Sequence, residues 1–83
     1  MSMIFFTYRA GTQARKGAAI LRDAGISARL ARTPSQMAVN GCGSGLWVQR
    51  GQEYAASLEL RGRGCAYERS YLMEGGKVKE VFL

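Results

Sequence analysis

The sequence predicts an α+β domain of ferredoxin-like type, a β-α-β-β-α-β sandwich with two helices on one face of an antiparallel sheet and an extra C-terminal strand. Three observations lead there. Short β-prone runs alternate with two segments of helical periodicity, and their order is that of a doubled β-α-β unit with short connections. The 83 residues, 47% apolar and 22% charged, suit a single ordinary globular domain spanning residues 1–83. An open α/β arrangement is the alternative packing of the same elements.

The first strand is read from Met3 to Tyr8, a nearly continuous apolar run. Arg9-Ala10-Gly11 turns the chain, and Thr12 is placed to cap a helix from Gln13 to Ala24. Ala14, Gly17, Ala18, Leu21 and Ala24 recur at three- and four-residue spacing, a stripe of small residues that lets the helix lie close to a sheet. Gly25 ends it. Ile26, Ala28, Leu30 and Arg32 alternate with Ser27, Arg29 and Ala31, the two-residue period of an edge strand with one wet face.

A polar loop, Thr33 to Gly43, leads into an inner strand from Ser44 to Gln49. Gly51-Gln52 opens a second helix, on which Tyr54, Ala55, Leu58 and the stem of Arg61 share a face, and Gly62-Arg63-Gly64 stops it. Cys65 to Met73 reads as a strand with Tyr67 and Tyr71 on one face. Glu74-Gly75-Gly76-Lys77 turns it into a last short strand from Val78 to Leu83.

Composition excludes several chemistries. The chain has no histidine, which removes His-based acid/base catalysis and the usual zinc sets. Its two cysteines, Cys42 and Cys65, are not a CxxC pair, so neither a metal nor a cofactor is implied. No apolar run approaches the ~20 residues that cross a bilayer, and the first residues lack the pattern of a secretory signal, so a cytoplasmic protein with no membrane role is expected. In that compartment a structural disulfide is not expected. The net charge of +6 comes mostly from arginine scattered along the chain, which reads either as a solvated surface or as a site for an anionic partner.

The loop concentrates unusual residues: the only proline (Pro34), the only tryptophan just beyond it (Trp47), and the run Gly41-Cys42-Gly43. If the first strand runs up, the predicted order brings four features to the same upper edge. These are the end of that strand with Arg9, the start of the first helix with Thr12, the Thr33–Gly43 loop, and the turn carrying Cys65. A helix N-terminus and an arginine both favour a thiolate, and Gly41 and Gly43 can turn their amides toward an anion. Cys42 therefore reads as a reactive thiol, with Arg9 and Thr12 as stabilising candidates and Cys65 as a resolving or relay thiol. The bland reading is that Cys42 is a small buried hydrophobe and the glycines serve a tight loop.

Ile4-Phe5-Phe6-Thr7, the helix Ala14–Ala24, Gly25-Ile26, Thr33-Pro34 and Cys42-Gly43 ahead of an apolar strand resemble the selenium/sulfur carrier-like domains, a family of small bacterial proteins. The resemblance covers roughly residues 3 to 60. It implies that Cys42 holds sulfur or selenium as a persulfide or its selenium analogue, with Pro34 and Gly43 as the motif's proline and glycine. Ala38, Val39 and Asn40 stand where the family has hydroxyl-bearing residues, and Gly17 stands where a helix-face acid is usual.

The expectation is thus a carrier without turnover chemistry of its own, not an enzyme, whose partners are sulfur or selenium donor and acceptor proteins. The alternative is a binding module for RNA or protein. RNA would stack on Tyr8, Tyr67 and Tyr71, but no Lys/Arg-Gly-Phe-type motif accompanies them, so nucleic acid is not the expected partner. A protein interface would use Met37, Trp47 and the terminal hairpin, and homodimerisation would enlarge so small a core.

Overall fold

The computed structural model describes residues 2–37 and 43–83. The elements follow in the order β1 (Ser2–Tyr8), α1 (Gly11–Asp23), β2 (Ala28–Arg32), β3 (Ser44–Gln49), α2 (Glu53–Gly62), β4 (Arg69–Glu74) and β5 (Lys77–Val81). The strands form one antiparallel sheet in the order β2-β3-β1-β4-β5. The first four strands have the ferredoxin-like order, and β5 adds to it through a hairpin. That hairpin turns on Gly75 and Gly76, with φ of 57° and 81°, the pair of positive values that a two-residue turn matched to strand twist requires.

Both helices cover one face. Alternation along β1 sends Ile4, Phe6 and Tyr8 to that side, where they meet Leu46 and Val48 of β3, Ala14 and Leu21 of α1, and Ala56 and Leu60 of α2. Leu21, Leu46 and Leu60 are fully enclosed, and each contributes about 1.5–3 kcal/mol relative to exposure. The small-residue stripe of α1 behaves as its spacing predicts: Ala14 and Gly17 are buried, and Ile20 joins them.

The opposite face has its own cluster. Phe5, Trp47 and Tyr71 stand side by side on β1, β3 and β4, since Phe5 is paired with both of the others. Phe5 and Trp47 have ring centroids 4.7 Å apart. Met37, only 2% exposed, packs against Phe5 and Tyr71 from the segment after β2. Gly45 of β3 makes room here: a Cβ would collide with the Phe6 carbonyl oxygen and lie about 2.5 Å from the Phe5 ring.

Several local expectations are corrected. Ala10, not Thr12, is the N-cap of α1, and no described side chain caps that helix. On α2, Tyr54 and Leu58 are 68% and 72% exposed, while Ala56, Ser57 and Leu60 face inward. Ser57 is tolerated there because its hydroxyl meets the Tyr67 hydroxyl at 2.7 Å. β4 begins at Arg69, so Tyr67 precedes it and packs on Phe6 toward the helices, whereas Tyr71 lies on the other face. Tyr8 is likewise buried on the helix side. The three tyrosines thus form no stacking platform. Met37 is core and not an interface residue.

Candidate functional site

The upper edge that the sequence predicts is present. β1 ends there at Tyr8, α1 starts there, β2 and β3 meet there at Arg32 and Ser44, and the chain returns from α2 through Cys65. Gly43 is pinned in the middle. Its carbonyl accepts from the Thr33 N–H at 3.0 Å, closing the base of the Thr33–Gly43 loop. A Cβ at Gly43 would lie 2.9 Å from the Tyr8 carbonyl oxygen, so only glycine lets the chain pass this close to the end of β1.

Pro34 starts the turn that carries Met37 to the aromatic cluster, its carbonyl accepting from the Met37 N–H at 2.9 Å. Thr33 Oγ1 is buried without a hydrogen-bond partner among the described residues, and it is the nearest described side-chain atom to the Gly43 position, 3.5 Å from where a Cβ would be. The sequence marked Thr33 only as a loop boundary. Gly41 and Cys42 lie outside the described residues.

Helix α1 enters this edge with no side-chain cap on its first-turn N–H groups among the described residues and with no acidic residue in that turn. These groups carry partial positive charge. Gly11, Thr12 and Gln13 are exposed. Arg9 is exposed too, but its guanidinium is 3.3 Å from the Glu68 carboxylate, so its charge is shared.

Cys65 sits beneath the same helix end. It is buried, and its thiol donates to the Gln13 carbonyl at 3.3 Å. The Tyr8 hydroxyl donates to the Cys65 carbonyl at 2.6 Å. Burial foremost, with the neighbouring Cys65 thiol and Tyr67 phenol behind it, pushes the Tyr8 phenol far above its ordinary range. Tyr8 is therefore a fixed neutral donor.

Beside this edge, a groove of about 130 Å³ runs between Arg61, Tyr67 and the ends of β4 and β5. Its polar groups satisfy one another: Arg69 pairs with Glu80, and Arg61 donates to the Tyr67 hydroxyl and the Leu83 carbonyl. Among the described residues no cluster of His, Cys, Asp or Glu could hold a metal ion, and no helix is long and apolar enough to cross a membrane.

Comparison of the chain with protein-family models, curated proteins and solved structures gives no match. The class of protein rests on its fold: a five-stranded α+β sandwich of ferredoxin-like type with a glycine-anchored loop at one edge.

Proposed function

We propose that the protein is a sulfur or selenium carrier that uses Cys42 as its nucleophile and has no catalytic turnover of its own. The Cys42 thiolate attacks the outer chalcogen of a donor persulfide or its selenium analogue. A new bond to Cys42 forms as the donor thiolate leaves. An acceptor thiolate then attacks that same outer atom, and Cys42 departs as the thiolate, so the sequence of exchanges needs no external oxidant or reductant.

The observation that supports this reading is the anchoring of Gly43, the residue after Cys42, between Thr33 and the end of β1, at the edge where α1 begins. A thiolate is favoured in such surroundings. Cys65 is buried and engaged with Gln13, which fits a supporting thiol better than a freely attacking one.

The pH dependence of alkylation, followed separately at the two cysteines by mass spectrometry of the folded protein, tests the proposal. Cys42 is expected to react below the ~8.5 at which a free thiol titrates, with Cys65 lagging. Treatment with a small persulfide donor is expected to add one chalcogen atom, and Cys42→Ser to abolish the gain. A Cys42 that reacts only on unfolding would end the carrier reading.

A further inference from the structure

The excess of positive over negative charge lies in one part of the chain. Residues 1–50 hold seven Arg and Lys against one acid, Asp23, whereas residues 51–83 hold five of each sign. The +6 net charge therefore belongs entirely to the first part. Two of its seven cations, Arg9 and Arg50, are paired with Glu68 and Glu74. The other five, Arg15, Lys16 and Arg22 on α1 and Arg29 and Arg32 on β2, are exposed and in no ion pair among the described residues.

α1 packs against β2 and β3, so the elements that carry these five charges lie together on one flank of the sandwich. β2 is the edge of the sheet on that flank. It pairs only with β3, and none of its residues makes another backbone hydrogen bond among the described residues. Among the described residues, its outer N–H and C=O groups are left for a further strand. Leu30, in the middle of β2, is 42% exposed, an apolar contact between the two arginines.

We propose that the outer edge of β2 docks an extended acidic segment of a partner protein as an added strand. The ladder hydrogen bonds would supply affinity. Arg29 and Arg32, on opposite faces of the strand, would select carboxylates on both sides, with Leu30 taking an apolar side chain. The charges of α1 would speed encounter with an acidic partner. Nucleic acid offers the same charge but cannot extend a sheet, and the free edge decides between them. The opposite edge, β5, carries Lys77 and Lys79 but also an acid, Glu80, which pairs with Arg69, whereas β2 has arginines and no acid. This proposal does not depend on Cys42.

The test is a titration of the isotope-labelled protein with a short capped peptide containing Glu-Thr-Val-Glu, which as a strand presents one Glu on each face and Val beside the first, read by amide shifts and hydrogen exchange. Shifts centred on residues 28–32 and slowed exchange of the outward β2 amides are expected, with binding weakened roughly tenfold or more by Arg29→Glu combined with Arg32→Glu. Exchange readout on the unmodified chain keeps the result independent of how well the variant folds. The matched peptide with Lys in place of both Glu residues should not bind. Absence of binding, or shifts elsewhere, would overturn the proposal and leave the arginines as guards against unwanted strand pairing. A single-stranded oligonucleotide that shifts the α1 flank while β2 exchange is unchanged, with no effect of the acidic peptide, would overturn it in favour of a nucleic-acid surface.

Discussion

The Tyr8 hydroxyl, at the end of β1, donates to the Cys65 carbonyl at 2.6 Å inside the core, tying the start of the β4 approach to the strand beneath α1. Tyr8→Phe keeps the ring and deletes the donor, leaving a buried carbonyl unpaired. The expected cost is about 1–3 kcal/mol, read as a lowered denaturant midpoint with an unchanged slope.

The same bond has a signature at high pH. The Tyr8 phenol is raised above its ordinary value of 10.0 by burial and by its neighbours, so the unfolded chain loses this proton first. Its contribution to stability is complete below pH 10 and falls as pH rises beyond it, by at most about 1.4 kcal/mol per unit. Tyr8→Phe should show a flatter alkaline limb than the parent, while the two proteins differ by a constant amount near neutrality. Parallel curves above pH 10 would mean that Tyr8 ionises in the folded state.

Gly45 faces the Phe6 carbonyl and the Phe5 ring with no space for a methyl group. Gly45→Ala must displace backbone on one side and a fully buried ring on the other. Overpacking of this kind costs roughly 1–3 kcal/mol and here should reach the upper part of that range. The shift of Phe5 should also change Trp47 fluorescence, because the two rings are in contact.

How far the sequence could be read depended on whether each segment had one competing pattern or several. β3 has one, an apolar run bounded by glycine and Arg50-Gly51, and its predicted limits are the observed ones. The upper edge followed from element order, because strand direction is fixed once the connections are known. α2 has two apolar stripes, Tyr54/Leu58 and Ala56/Leu60, and the larger side chains point outward. The inward face is set by distant partners, the core around Leu60 and the Tyr67 hydroxyl that meets Ser57, and local periodicity carries no record of them. Met37 is a single apolar residue in a polar loop, and its burial arises from contacts with β1 and β4 that are distant in sequence. The reactive-thiol reading of Cys42 came from Gly-Cys-Gly and the topology, and only its flanking anchors fall among the described residues.

The two stripes of α2 give opposite results on substitution. Tyr54→Ser and Leu58→Gln remove exposed groups and should change stability by no more than about 0.5 kcal/mol. Leu60→Ala empties a fully buried position shared with Leu46 and Gly17 and should cost about 2–5 kcal/mol. Thermal unfolding of the three variants distinguishes the faces directly, and a large loss in Leu58→Gln would indicate that this stripe is covered in solution.

Met37 joins the loop to the sheet. It is the residue that covers Phe5 and Tyr71, and the turn from Pro34 delivers it there. Met37→Ala leaves the helix-side core untouched, so the protein should still fold, with a loss of about 2–5 kcal/mol. The aromatic cluster should gain solvent access, seen as quenching of Trp47 by acrylamide. Met37→Leu, which conserves most of the volume, should restore most of the stability and shield Trp47 again. If both variants matched the parent in stability and quenching, the packing of Met37 on Phe5 and Tyr71 would not persist in solution.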